Sequence, residues 1–326
     1  MVDRSKITEN VQIGLETVEG TAVPAGTNIQ SVSVETKIGG TAEFFRPDGR
    51  RFNVLSTNNQ EWSTFAITGK ATYTEIDYLI AMMLGDVAPS SSGVGIKTRA
   101  WTMDSTTVLA PTSATIEKGS AVRAQRIAGA LLTDLTMAFS RKTGVTVTGN
   151  GIGRLFEDGV TMTAGPADVA LVPIVGKHLD LYIDSSAAGL GGTKLLRAFS
   201  AELAVTGVLG PIWAIDSTEP SYGGHVDLPP TTSVKLMVEA DATGMAYLSQ
   251  YRADDQMFIR VEGTGAEIES GLPFLFTYDV CAGIKTVSPD DDEDGVTTVS
   301  YELEMVNDAT WGRALALTSV NDIATL

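Results

Sequence analysis

The chain has 326 residues, 43% hydrophobic and 19% charged, with a formal net charge of −17. That length suits two domains with cores of their own. No apolar run approaches the roughly 18–20 residues a membrane helix needs, Met1–Asn10 carries no apolar leader segment, the single cysteine, Cys281, excludes an internal disulfide, and the acid excess argues against gripping nucleic acid by phosphate neutralisation.

Residues 1–30 lack a long periodic pattern and hold Gly14, Gly20, Pro24 and Gly26. They are expected to form an arm with a short strand near Val11–Leu15. Residues 31–38 alternate in the strand manner. Phe45–Arg50 is a turn, with Pro47 preset for its second position and Asp48-Gly49 after it, and residues 51–56 and 61–69 follow as strands. The strongest helix signal is Glu75–Leu84. Thr74 is its expected N-cap, with Asp77 three residues on; Ile76, Leu79, Ile80, Met83 and Leu84 fall at helical spacing, and Gly85 stops it. Strands are then expected over 101–109, 112–116, 121–131, 132–140 and 145–149. A second series covers 177–183, 195–205, 233–240, 257–262, 274–281 and 297–306. A helix from Thr243 to about Ala253 interrupts it, with Met245, Leu248 and Tyr251 on one face. Thr, Val, Gly and turn residues dominate, so the expected class is mainly β: two tandem sandwich or barrel domains, each flanked by one helix.

Internal matches support the tandem reading. Ser31–Gly40 aligns with Ala198–Gly207, Tyr78-Leu79 with Tyr247-Leu248, Leu132–Ala138 with Phe276–Ala282, and Val145-Thr146 with Val296-Thr297. The order is the same in both halves, as expected of a duplicated domain, and a boundary near Gly165-Pro166 gives domains 1–165 and 166–326. The halves differ in charge: the first has 15 basic and 16 acidic residues, the second 8 and 24, so the whole excess lies in the second. The hairpin turning at Arg141–Gly144 reads longer in the second half, over Lys285–Gly295, and the addition is almost wholly acidic.

Asp290, Asp291, Asp292, Glu293 and Asp294 resemble the front of a calcium loop, but an EF-hand needs a bidentate Glu at position 12, where Tyr301 stands. Five adjacent carboxylates fit a solvated hairpin tip or a subunit junction better. Gly93–Thr98 lacks the Gly that must precede a P-loop Lys, and Gly149–Gly153 has the wrong spacing for a dinucleotide site; both are expected to be turns or bulges. His178 and His225 lie far apart, no G-x-S-x-G elbow accompanies them, and no His/Cys set has zinc spacing. Cys281 is expected in the core. Trp62, Trp101, Trp213 and Trp311 are scattered among strands and do not interleave with basic residues, so they are anchors rather than a nucleic-acid platform. Nothing points to catalysis, a metal or a cofactor. The basic clusters Arg46/Arg50/Arg51, Arg123/Arg126 and Arg141/Lys142 all lie in the first half, where they are either isolated surface charge or partners for the acidic half of another subunit.

Val11–Pro24, with its Gly14-x-Glu16-x-x-x-Gly20-Thr-Ala-Val23 phrase, resembles the opening of the tail-tube proteins of long-tailed, siphovirus-like bacteriophages. So do the Pro-Asp-Gly turn, the stretch from Trp62 through Gly69 to Gly85, and Gly129–Phe156. The resemblance is clearest over 11–160. It implies β-sandwiches whose inner strands join into one barrel per ring, with rings stacked into a hollow tube that conducts the genome. Two-domain relatives imply three chains per ring. The implied partners are further copies of the chain and the tail terminator, tape-measure and baseplate proteins. DNA passes through without tight binding, and the location is the virion tail, assembled in the host cytoplasm. The expected assembly residues are Val11, Ile13 and Pro24 in an arm bridging to the next ring, Arg46, Arg50 and Arg51, and Asp290–Asp294. Other virion β-proteins, such as a capsid decoration or head–tail connector component, and a β-sandwich hydrolase or carbohydrate-binding module, are the alternatives.

Overall fold

Antiparallel strand pairing organises the chain, because each strand must satisfy two rows of backbone donors and acceptors. The computed structural model describes residues 8–326 apart from Ala121, Ser217 and the side chain of Ser92. In chain order the first half holds Asn10–Leu15 (β1), Thr27–Ile29 (β2), Val32–Phe45 (β3), Leu55–Lys70 (β4), the helix Ile76–Leu84 (α1), Ser90–Gly93 (β5), Ile96–Met103 (β6), Ala114–Gly119 (β7), Ala124–Ser140 (β8), Gly144–Gly153 (β9) and Phe156–Val160 (β10). The second half holds Ala167–Asp168 (β11), Leu179–Asp184 (β12), Ala198–Thr206 (β13), Leu209–Ile212 (β14), Gly224–Asp227 (β15), Thr231–Glu239 (β16), the helix Ala242–Ala253 (α2), Gln256–Glu269 (β17), Leu272–Glu293 (β18), Val296–Met305 (β19) and Leu315–Asn321 (β20).

One run of eight antiparallel strands crosses the molecule in the order β3-β4-β9-β8-β13-β16-β19-β18. Its first four strands come from the first half and its last four from the second. The two sets of four follow the same plan. The row Ser33, Thr68, Thr148, Thr136 on the first set has the same pairing sequence as Ser200, Met237, Ser300, Ser288 on the second. With Ser33 set against Ser200, as the sequence match sets them, Thr136 falls against Ser288, an offset of 152 residues. The sequence match of Leu132–Ala138 to Phe276–Ala282 was displaced by eight, because similar apolar alternation runs along the whole of these long strands.

The N-terminal parts of β8 and β18 bend into other ladders. β8 pairs there with β7 and β10, and β7 carries β1 and then β2. β18 pairs there with β17 and β20. β17 also carries β12, and β20 carries β6 and then β5. The β5–β6 hairpin of the first half thus completes a ladder of the second. Together with β8–β13, this makes two seams at which strands of one half pair with strands of the other. The buried apolar side chains form one cluster spanning both halves.

Charged groups buried within this body are tied down. Glu16 accepts hydrogen bonds from the Gly20 and Gly129 amides and from the Ser113 and Thr115 hydroxyls at 2.7–2.9 Å. Gly20 has φ +77°, and a Cβ there would run into Arg154. The Gly-x-Glu-x-x-x-Gly phrase is thus a carboxylate nest that ties the entering chain to β7 and β8. Asp77 of α1 lies 3.4 Å from the Arg99 guanidinium of β6 and accepts a 2.8 Å bond from Asn321 of β20; Arg99 also donates to the Ile323 carbonyl at 2.8 Å. Burial pushes the Asp77 carboxyl up to about 6, against the lowering pull of Asn321, Ser319 and Arg99.

Several sequence expectations are corrected here. Residues 51–56 and 61–69 are not two strands: Leu55–Lys70 is a single strand. Residues 124–140 are likewise one strand. Thr74 does not cap α1. The N-cap is Glu75, and Asp77 turns inward to Arg99 because helix α1 is buried on every side. Helix α2 is the reverse case: it is largely exposed, Tyr251 included, and Asp241 caps it by accepting from the Thr243 and Gly244 amides. Gly149–Gly153 is neither turn nor bulge but part of β9. A Cβ at Gly151 would stand 2.2 Å from the Phe65 ring, and one at Gly153 would stand 2.2 Å from Ile127. Val94-Gly95 does turn a hairpin, between β5 and β6. Asp77→Ala, measured by urea unfolding at pH 8, is expected to cost about 3–5 kcal/mol because it strands Arg99 in the interior; the double variant Asp77→Leu/Arg99→Met is expected to recover most of that loss.

Candidate assembly surfaces

The β3–β4 hairpin projects a tip that has no apolar cover of its own. Phe44, Phe52, Val54 and Leu55 are more than half exposed, and Phe45 nearly so. Arg46, Arg50 and Arg51 sit in the same tip. Among the described residues no carboxylate forms an ion pair with any of the three. The turn is closed by Arg50 N–H donating to the Pro47 carbonyl and Val54 N–H to the Phe45 carbonyl. Exposed apolar groups with adjacent cations make a sticky, directional end. The cations and the turn were readable from the residues alone; the exposed phenylalanines are legible only once β3 is seen to run to Phe45.

Asp290–Asp294 is not a loop. Asp290–Glu293 continue β18, and only Asp294-Gly295 turn the chain. Both turn residues have positive φ, 53° and 80°, as a two-residue Asp-Gly hairpin turn requires. Bulges between Ile284 and Thr286 and between Ser288 and Asp291 bend the strand. Lys142, at the tip of the β8–β9 hairpin, lies 2.5 Å from Glu293 and 2.6 Å from Asp294. Hydrogen bonds to Asp294 and Glu293 raise its ammonium above the ordinary lysine range. The charge pairing expected between subunits thus occurs here inside one chain. Arg123 and Arg126 also pair within their own half, with Asp158 and Glu157, and Arg141 donates to the Gly176 carbonyl.

The expected arm does not stand apart. Val11 and Ile13 lie in β1, which pairs with both β7 and β2. Ile13 is buried and Val11 packs against the core, so neither is free to bridge outward. Pro24 is exposed, but its carbonyl lies where a Cβ on Gly14 would need to be. The segment has a core pattern after all, too short to register as periodic. The part of the arm before Thr8 lies outside the described residues.

The remaining singled-out residues lie within the fold as follows. His225 Nδ1 lies 2.7 Å from Glu19, joining β15 to the entering chain. His178 ends a short 3-10 turn. Among the described residues neither imidazole hydrogen-bonds a serine hydroxyl. Cys281 is buried, which pushes its thiol up to about 12. Trp62 packs edge-on to Trp213 at 5.8 Å, and Trp213 edge-on to Tyr222 at 6.0 Å, pinning the β14–β15 segment to β4. Among the described residues no group of three or more His, Cys, Asp or Glu is placed to hold a metal ion, and no helix is long and apolar enough to cross a membrane.

The eight-stranded run ends in two open edges. Among the described residues no strand other than β4 pairs with β3, although the Lys118 ammonium of β7 donates to its Val34 carbonyl at 2.6 Å. Nothing pairs with β18 beyond Gly283 on the side away from β19. One face of the run also presents polar side chains. Across it runs Thr68, Thr148, Thr136, Ala204, Ser233, and beside it Lys70, Thr146, Ala138, Glu202, Lys235, Glu302.

No family model matches the chain, and no curated protein matches it. A solved structure of the SPP1 tail tube, obtained by solid-state NMR and cryo-electron microscopy, is similar to part of it. The identity is 16%, over 47% of this chain and 82% of that one, and the TM-score is 0.31. So loose a superposition does not carry the fold, which rests on the ladders above. Replacing Phe44, Phe52 and Val54 by Ser is expected to shift chemical unfolding by less than about 0.5 kcal/mol per site, as for exposed side chains, and to reduce self-association in light scattering. A large loss of stability would mean that the tip packs on its own body.

Proposed function

We propose that this chain is a structural virion protein that polymerises into the hollow tail tube of a long-tailed bacteriophage. The observation that carries this reading is the eight-stranded run with an open edge at each end. A free edge seeks another strand, and two different free edges on one molecule make a heterologous contact, which closes into a ring or rises into a filament. Only closure removes the edges. We take the halves 1–165 and 166–326 as two copies of one unit, so that three chains supply six four-stranded sets to a ring. The projecting β3–β4 tip then reaches the neighbouring ring along the axis.

The polar face of the run suits the bore of such a tube. Hydroxyls dominate the named positions of the first half, beside Lys70, and in the second half two carboxylates, Glu202 and Glu302, flank Lys235. Lys235, central among the cations there, is held 2.9 Å from Glu202 and sits between Glu202 and Glu302 in the ladder. Phosphates sliding past would meet few uncompensated positive charges, and it is such charges that hold DNA. In this reading the chain has no catalytic role and takes no cofactor. Its partners are its own copies and the tail terminator, tape-measure and baseplate proteins, and its place is the virion tail.

The test is negative-stain electron microscopy of the purified chain at several concentrations, alone and with tail-initiator components. Hollow tubes or rings with three-fold or pseudo-six-fold end views are expected. Monomers that persist after the initiator is added would overturn the proposal.

A further inference from the structure

The seam between β8 and β13 shows how one half of this chain receives the other. Thr136 pairs with Ala204, Leu135 with Val205, and Ala138 with Glu202. By the ladder correspondence above, Ser33 is equivalent to Ser200 and Ser288 to Thr136. The positions four and five residues after Ser33 on the open edge of β3 are Lys37 and Ile38. They answer to Ala204 and Val205. On the open edge of β18, Val287 holds the place of Leu135, because both pair with the residue that follows the matched one on the neighbouring strand, Tyr301 and Gly149. Asp291 holds the place of Ala138 through Thr298 and Thr146.

Exposure at these positions differs sharply. Val205, inside the seam, is 1% exposed, whereas Ile38, its equivalent, is 59% exposed. An isoleucine on the inward side of a strand is left in solvent because the strand that would cover it is absent from the single chain. Pro289, which has no N–H to give, lies within the β18 bulge, where a missing donor is tolerated at an edge.

The geometry points to a specific self-junction: β3 of one copy pairs antiparallel with β18 of a second copy, in the register Ile38 to Val287, Lys37 to Ser288 and Glu35 to Asp291. This rests on the tube reading and gives its ring contact a register. The junction is not a plain copy of the internal seam. There Glu202 faces Ala138; here Glu35 faces Asp291, and like charges directly opposite one another oppose pairing. The contact therefore combines an apolar latch, Ile38 on Val287, with a carboxylate brake that salt weakens. A free chain at low ionic strength is held back from closing on its neighbours, which suits an edge that must not aggregate before its time.

Disulfide trapping in the full-length chain tests the register, since residues opposite one another in an antiparallel pair lie within bridging distance. The natural thiol of Cys281 is buried and stays out of the reaction. Lys37→Cys/Ser288→Cys, mildly oxidised under assembling conditions, is expected to give covalent oligomers. The control Glu35→Cys/Ser288→Cys, two residues out of register, is expected to give few. Circular dichroism verifies that both variants fold. Rings or tubes in the microscope with trapping only in the control, or in neither variant, overturn the register and leave the tube reading standing. No assembly of the folded chain, with initiator present, removes both. Independently, Glu35→Gln/Asp291→Asn is expected to lower the concentration needed for assembly at low salt by about two- to five-fold; an unchanged or higher threshold overturns the brake.

Discussion

An exposed strand edge is the constraint from which the rest of this structure follows. Backbone donors and acceptors left unpaired invite another strand, and a protein of this strand content generates many edges. The chain consumes most of them internally, by running one sheet from β3 through β18 and by lending β6 to the ladder that β20 belongs to. Among the described residues, the run is left with one edge at each end, and β5, β10 and the β14–β15 pair also keep an unpaired side. In the proposed tube, further copies of the chain take up the two ends of the run.

Buried polar groups fix where the pieces meet. Asp77, Arg99 and Asn321 come from α1, β6 and β20 and make their mutual contacts only when all three elements are in place, with Asp77 Oδ1 and Arg99 Nε and Nη2 still without a partner among the described residues. Glu16 does the same for the entering chain, β7 and β8. Such contacts add little net free energy when complete and cost much when broken, so they select one arrangement of the strands over alternative apolar packings. The cores would tolerate a slipped strand more readily than these carboxylates would.

Much of this was legible in the sequence. Period-two alternation marked most strands, and Gly85 ended α1. The failures have physical causes. Asp77 looked like a capping residue because spacing alone does not show that a helix will be buried on all sides. The Gly149–Gly153 cluster looked like a turn because a sequence does not show Phe65 and Ile127 pressing on the strand. The five carboxylates do lie at a hairpin tip, but four of them continue β18, because Asp294-Gly295 alone suffices to reverse the chain. Ile38 and the tip phenylalanines drew no notice, since an apolar residue in a strand is normally covered and only the ladder reveals which one is not. Chemistry-bearing side chains were easy to list and led nowhere, because the proposed role lies in edges and faces that belong to no single residue.

The pairing of β6 with β20 also bears on how the protein is made. β6 ends at Met103, and its partner begins at Leu315, about two hundred residues later. At ordinary synthesis rates the first strand waits roughly ten to forty seconds for the second to emerge. Through that interval the seam stays open and Arg99 lacks Asn321 and the Ile323 carbonyl. A nascent chain on the ribosome is therefore a different object from the finished one, with an extra adhesive edge, and crowding of such chains on one message is the stage at which misassembly has its best chance.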